Sequence, residues 1–531
     1  MPQRDSVENS RRLFLGSFLI LLATGMGFSA RGAVLGTWGA EFGFTKAELG
    51  VITGFGLTGF GLTVMFFSGL VERWGYGVLL ALTFAMHLLS GVVTLMAGPV
   101  FHALGRDGAF WCLSIGTTLF ALGNGASEAA INPLIAVLHP QERTHRLNIL
   151  HAGYPAGMIL GPLMGVLLRR QRWEIILLTY LVPTVLYGLL LFRQKFPASQ
   201  AKVHHLSLGS MLKEFTSPLL LFLLLLMAMV GFVELGTDSW ISNITGNLMA
   251  DPTKGLYLFI WTASLMFVLR FFAGPIVQRI SPLGLLAVSG CIGAVGLFLL
   301  SQAGGSFNIG GPMVAAWCAA TIYGVGKTFY WPTMLGVVAE RFPRGGALTL
   351  GAVGCVATLS AGLLGGPAIG LMQDHFASQK LRQSSPAAYE RYRAEKENSL
   401  MLIFHARGLD GSKVAVLEDN GTQLQKDLDI LAQTGRKDVH LEALRLWWTA
   451  AGEQADADRK PVTQAVLRGS RMALECTSLI PIVMALGYLM LVLHFRSKGG
   501  YKQIYLEDGP GAGKPAELAA GAVPLSNDSS R

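Results

Sequence analysis

Apolar runs long enough to cross a bilayer, which takes about 20 helical residues, recur along the chain at about 12–39, 48–70, 76–98, 109–138, 146–168, 173–193, 216–242, 255–279, 284–303, 312–339, 346–373 and 471–495. Short turns carrying Gly, Pro and charge separate them. The pattern predicts an all-α polytopic membrane protein with twelve transmembrane helices in two pseudo-symmetric six-helix bundles. Two polar stretches interrupt the series and set the domain boundaries. Residues 1–193 form a first bundle, 194–215 a linker, and 216–373 spans seven to eleven. Residues 374–470 form a helical outer insertion, 471–495 the last span and 496–531 a tail rich in Gly, Ala, Pro and Ser. Within the insertion, Leu424, Leu428 and Leu431 stripe one helix and Leu441, Leu444, Trp447 and Trp448 another.

Composition agrees with this reading. At 51% hydrophobic and 14% charged residues the chain is too apolar to be soluble throughout. Its net charge of +9 sits in turns between apolar runs instead of in one patch, which points to the bilayer and away from nucleic acid. With the N-terminus inside, the inside turns hold Arg73, Arg143, Arg146, Arg193, Lys195, Lys202, Lys213, Arg279, Arg341, Arg344, Arg496, Lys498 and Lys502, and the outside turns hold fewer cations. Both termini are therefore expected in the cytoplasm, with the chain multi-pass in a cell membrane of the bacterial inner type. All five cysteines lie in apolar runs, so neither a disulfide framework nor a metal site is expected, and no cofactor. Arg11-Arg12 ahead of an apolar run looks like an export signal, but the many later spans favour an anchoring reading. The tail's Gly509 to Lys514 lacks the spacing and the preceding strand of a phosphate loop.

Charges inside the spans carry the functional expectation, because an ionisable group there is costly. Glu128 stands in the fourth run between Asn124 and Asn132, and Lys327 holds the equivalent place about 200 residues later, each five residues before a proline. Arg31 lies in the first run, and Glu234 with Asp238 one turn on in the seventh. Helix rise places Glu128 and Lys327 about 27 and 22 Å from the outer end of their spans, and Arg31 and Glu234 about 12 Å. Two layers are thus expected: Glu128 and Lys327 meeting, or sharing a substrate, near the midplane, and an outer Arg31–Glu234 gate with Asp238. Tyr330, Trp331 and His151 are further candidates for contact with substrate or proton. Arg270, close to the inner end of its run, is assigned to helix-end contacts, and His87 is set aside as a weaker candidate.

The two halves repeat in parallel. Ser68 to Gly75 after the second run is matched by Gly274 to Arg279 after the eighth, and Glu142-Arg143 by Glu340-Arg341. Gly157, Gly161, Pro162 and Gly165 are matched by Gly362, Gly366, Pro367 and Gly370. At these residues the chain resembles the major facilitator superfamily, across its whole membrane region. Glu72 and Arg73 stand where that family has its loop between spans two and three, although Ser68 replaces the first glycine and Tyr76-Gly77 the basic pair. The resemblance implies that Glu72 and Arg73, with Arg143, Arg279 and Arg341 at the related turns, act in a cytoplasmic latch. Glu128 to Pro133 is similar to the fucose-permease branch, whose glutamate there is implicated in proton coupling. Arg31-Gly32 stands near where that branch has an aspartate.

The expectation is a monomeric, non-enzymatic secondary transporter. It would move a small polar solute, sugar-like or anionic, by alternating access with protons as the coupling partner. The alternatives are a proton-coupled efflux antiporter, suggested by the GxxxGPxxG run, or a membrane receptor or enzyme working through the insertion.

Overall fold

The computed structural model describes residues 2–42, 44, 46–168, 170–395, 397–400, 404–434 and 439–506. Helices α1 (Pro2–Phe42), α2 (Lys46–Trp74), α3 (Tyr76–Leu95), α4 (Ala97–Leu138), α5 (Arg143–His151), α6 (Gly153–Leu167), α7 (Trp173–Leu178) and α8 (Leu181–Leu191) build the first half. Short helices α9 (Gln200–Val203) and α10 (Leu208–Lys213) follow in the linker. The second half contains α11 (Pro218–Gly231), α12 (Ile241–Met249), α13 (Pro252–Leu269), α14 (Ala273–Gln302), α15 (Pro312–Lys327), α16 (Tyr330–Arg341), α17 (Gly346–Leu359) and α18 (Gly366–Ser384). After α18 come α19 (Pro386–Tyr392), strands β1 (Asn398–Leu400) and β2 (Phe404–Ala406), α20 (Gly411–Glu418), α21 (Thr422–Thr434), α22 (Val439–Ala451) and the closing α23 (Ala455–Ser497).

Helical backbone is the only open structure that satisfies its own polar groups in lipid, and the sequence supplies its punctuation. Asp251 caps α13 by accepting from Thr253 N at 2.9 Å, and Pro218, Pro252 and Pro312 sit in first turns, where a missing N–H is harmless. Gly75 (φ 84°) and Ser281 (φ 65°) make the tight reversals after α2 and inside the α14 stretch.

Among the described residues, ten stretches are long and apolar enough to cross a membrane. The reading as purely α-helical needs one correction, since β1 and β2 pair antiparallel with Ser399 opposite His405. That segment is too short and too irregular in its apolar positions to specify a helical face. Around the strands, α19 to α22 pack with the ends of α18 and α23 on their own core of Leu381, Tyr389, Tyr392, Leu417 and Val462. Arg391 clamps Asp458 there with two bonds, 2.7 and 2.5 Å. Both α18 and α23 run on past the expected ends of their spans into this unit.

Within each half the helices meet through small residues, as expected where lipid removes the hydrophobic drive between helices. A Cβ on Gly157 would lie 2.2 Å from Leu22 O and one on Gly161 1.9 Å from Ser29 Oγ, so the first GxxxGPxxG run is the seam where α6 touches α1. In the second copy the close approach moves to Gly365, set against Gly236. Both runs therefore act in packing. Gly157→Leu is expected to destabilise the protein by about 3 kcal/mol or more, the upper range for overpacking, read as a fall in the thermal midpoint in detergent. An unchanged midpoint would mean that α1 and α6 do not meet in this way.

The halves join chiefly at the end of the bundle that carries the linker. Here α2 runs alongside α17 and α5 packs on α16, while Asn9 Nδ2 of the first half donates to Lys195 O of the linker at 2.8 Å. The last described residues, 498–506, assigned by composition to the tail, lie against this same end. Residues 507–531 lie outside the described residues.

Candidate functional site

Four helices of the second half lose regular geometry near one another. A π-turn (Phe232–Gly236) continues α11 and packs against a second π-turn (Ser360–Gly365) between α17 and α18. A 3-10 turn (Arg270–Phe272) ends α13, and α15 breaks from α16 across Thr328 and Phe329. Such interruptions often mark functional positions. Glu234, Arg270 and Lys327 all lie in or beside them.

Proline chemistry accounts for part of this layer. Pro332 has no N–H to offer the carbonyl four residues earlier, Thr328, and Pro155 likewise leaves that of His151 without its helical donor. Arg270 takes both, donating from Nε to Thr328 O at 2.9 Å and from Nη1 to His151 O at 2.6 Å. Its third contact, Nη2 to Glu234 Oε1 at 3.3 Å, is an ion pair in which both side chains are at most 5% exposed. Because His151 belongs to the first half, one guanidinium binds across the seam. Its planar fork of donors suits this three-way role, which a lysine could not fill.

Lys327, 1% exposed, pairs through Nζ with Asp238 Oδ1 and lies 5.3 Å from the Tyr323 ring. Tyr323 in turn donates to Val233 O at 2.8 Å, within the π-turn. The second half thus holds two buried cations, Arg270 and Lys327, paired with two acids, Glu234 and Asp238, that lie one helical turn apart.

Across the seam, Glu128 accepts from Asn132 Nδ2, and Asn132 Oδ1 lies 2.9 Å from His151 Nε2. With Nδ2 given to Glu128, Oδ1 must accept, so His151 carries its hydrogen on Nε2. Tyr154, one turn after Asn132's partner, is within electrostatic range of Glu128, Glu234, Asp238 and Arg270, and marks where the two groups of charges face each other.

The two expected layers are not formed. Lys327 is held by Asp238 and Glu128 by Asn132, so the central Glu128–Lys327 pair is absent. The outer Arg31–Glu234 gate is absent as well, because Glu234 is paired with Arg270. Arg31 instead turns into the interior of the first half. It donates to Ser90 Oγ at 2.8 Å and to Gly27 O at 3.0 Å, with its guanidinium 4.1 Å over the Phe120 ring and 5.0 Å over Tyr180. Among the described residues no carboxylate pairs with it. Depth along a helix says nothing of the direction in which a side chain points, and it is the rotation of each helix that sends these four side chains to other partners.

Asn124 also points inward. Its Oδ1 accepts from Thr24 Oγ1 at 2.8 Å and meets His87 Nε2 at 2.9 Å, while Tyr187 OH donates to His87 Nδ1 at 3.0 Å. Tyr330 OH donates to Ser289 O at 3.0 Å, and Trp331 packs in the apolar core. Arg270 and His87, both given minor parts on sequence grounds, turn out to organise the two buried networks. The signal that could have found Arg270 is the pair of prolines, each four residues beyond a carbonyl that needs a donor.

At the linker end, Arg143 Nη1 donates to Ala339 O at 2.7 Å, and Glu340 Oε1 accepts from Thr144 Oγ1 at 2.6 Å and Thr144 N at 3.3 Å. Asn148 Nδ2 reaches Thr333 Oγ1 at 3.1 Å, and Gly274 N donates to His145 Nδ1 at 2.9 Å. All of these cross between halves. Of the expected latch residues, Arg143 takes part directly, Arg341 holds the chain end, and Glu72 accepts from Ser199 of the linker. Arg73 and Arg279 stand exposed. The acid that joins the halves here is Glu340, the counterpart in the repeat of Glu142.

Comparison with known proteins agrees with this architecture. The family model of the Major Facilitator Superfamily matches residues 14–366. A curated relative, the cis,cis-muconate transport protein of Acinetobacter baylyi, is 28% identical over 191 residues, which is 35% of this chain and 43% of that protein, so the match spans less than half of the relative's length. Among solved structures, the proton:xylose symporter XylE superposes with a TM-score of 0.59 at 16% identity, covering 69% of this chain and 89% of that one. FucP, a fucose:proton symporter of E. coli, captured in its outward conformation, superposes at 0.54 with 17% identity, covering 68% and 92%.

Proposed function

Since the chain belongs to the major facilitator superfamily and is a secondary transporter by that membership, we propose that it carries a small organic anion together with protons. The observation that carries this reading is the pair of buried cations, Arg270, which reaches across the seam, and Lys327, each balanced by one carboxylate of the protein's own, Glu234 and Asp238. A transported carboxylate competes with those acids for the same two partners. Protonating an acid removes its claim on the cation, so proton entry and anion binding favour each other and the buried charge stays balanced. Glu128, with its carboxylate turned to Asn132 and His151, is the proton carrier of the facing half. The curated muconate transport protein, named for a dicarboxylate, supports a cargo with two acidic ends.

In this reading the chain crosses the bilayer twelve times. The stretch Thr253–Gln302 holds two crossings divided at Ser281, and α15 with α16 forms one crossing in two pieces. The linker end is cytoplasmic by its cations, and the unit between α18 and α23 is extracytoplasmic.

Reconstitution into proteoliposomes tests the cargo. Uptake of labelled cis,cis-muconate and shorter dicarboxylates is expected to follow an acid-outside pH gradient, while xylose and fucose are not taken up. Lys327→Gln is expected to raise the apparent KM for the anion by about tenfold or more, as for a charge-assisted contact of roughly 1.5–3 kcal/mol. Uptake of sugars with no response to carboxylates would rule out the anion reading.

A further inference from the structure

The chain does not leave the bundle when α23 ends at Ser497. Gly499 and Gly500, at φ 87° and 99°, turn it back in a conformation open to glycine, and residues 501–506 run extended across the linker end. Tyr501 OH donates to Glu340 Oε2 at 2.8 Å and Ile504 N to Glu340 O at 2.9 Å. Arg341 Nη1 donates to Lys502 O at 2.6 Å, and its guanidinium lies 4.8 Å over Phe495, whose ring meets Tyr501 edge-on at 5.6 Å. Gln503 Nε2 donates to Pro140 O.

These contacts divide unequally between the halves. Arg341, Phe495 and Glu340 belong to the second half, whereas Pro140 lies in the turn between α4 and α5 of the first. Glu340 is the hub, with Tyr501 on one carboxylate oxygen and Thr144 of the first half on the other. Glu340 with Thr144, and Gln503 with Pro140, bridge the seam that must part for alternating access to open the linker end.

We propose that residues 498–506 are a strap that holds the linker-end gate closed. It is anchored on the second half by Arg341, Phe495 and Glu340, and reaches the first half through Gln503. By occupying Oε2 of Glu340 it also turns Oε1 toward Thr144. Opening breaks the Gln503–Pro140, Glu340–Thr144 and Arg143–Ala339 contacts together, so the balance between open and closed gates depends on the chain end as well as on the spans. The strap acts on the gate whatever the cargo, so a failure of the anion reading leaves it standing.

Thiol accessibility in the full-length chain tests it. Ala347, 1% exposed, lines the cleft between the halves with Pro133, Ala136 and Pro343. With the five native cysteines replaced, the alkylation rate of an Ala347→Cys variant reports opening of that cleft. Adding Tyr501→Phe or Gln503→Ala is expected to raise the rate about fivefold, the worth of one net hydrogen bond. Lys502→Ala is expected to leave it unchanged, because only the Lys502 carbonyl is used and its side chain is exposed. Thermal midpoints confirm that each variant is folded, and if one strap variant does not fold the other decides. Equal rates with and without the strap substitutions, or the same rise with Lys502→Ala, would overturn the proposal.

Discussion

Arg270→Gln is expected to abolish net uptake and to lower the thermal midpoint markedly. The guanidinium is buried with Glu234 as its charge partner and also fills two carbonyls that prolines have deprived of helical donors. Removing it leaves a buried carboxylate without its cation, a change that costs about 3–5 kcal/mol when a buried pair is broken from one side. A double variant separates stability from transport. Glu234→Gln with Arg270→Gln removes both charges at once and is expected to recover part of the midpoint, since no uncompensated charge remains while the Thr328 and His151 carbonyls still lack their donor. Uptake stays absent, because the cation that competes for the cargo is gone. Transport in the double variant at the wild-type rate would show that the pair only holds the fold together.

Glu128→Gln separates coupling from exchange. Its amide keeps an acceptor for Asn132 and nearly the same volume, so the Asn132–His151 arrangement survives, but the side chain can no longer give up a proton. Accumulation driven by a pH gradient is expected to fall sharply, while exchange of labelled for unlabelled cargo across the membrane continues and keeps only the pH dependence that Glu234 and Asp238 contribute. The comparison uses one batch of proteoliposomes, with the gradient imposed or collapsed by a protonophore. Accumulation like that of the wild type in the variant would remove Glu128 from the coupling mechanism.

The two variants probe opposite sides of one seam. Arg270 reaches the His151 carbonyl of the first half, and the His151 ring reaches Asn132, which holds Glu128. A short path of hydrogen bonds therefore joins the coupling acid to the cation pair. The coupling is physical only if both ends bias the same two-state motion of the halves, and a double-mutant cycle between Glu128→Gln and Lys327→Gln on exchange rates measures it.

Much of this protein is set by its sequence alone. Apolar runs of bilayer length force helices, because lipid offers no other partner for backbone polar groups, and the repeated Glu-Arg and GxxxGPxxG elements, with a proline five residues after each embedded charge, impose two related halves. Glycines at 157 and 161 state that a neighbouring helix comes close, without saying which one. The sequence also marks Glu128, Glu234, Asp238 and Lys327 as groups that must have partners. Only the tertiary structure decided which partners. Whether Lys327 meets Glu128 or Asp238 depends on how α15 is broken and how α11 is widened by its π-turn, and those few ångströms and degrees of rotation are fixed by packing between distant segments. Arg31 illustrates the same limit: its charge was legible, but that it faces Phe120, Tyr180 and Ser90 inside one bundle instead of the seam follows from the rotation of α1. A hydropathy pattern reports that a residue is in the membrane, whereas the direction it points is set by which helices crowd against it.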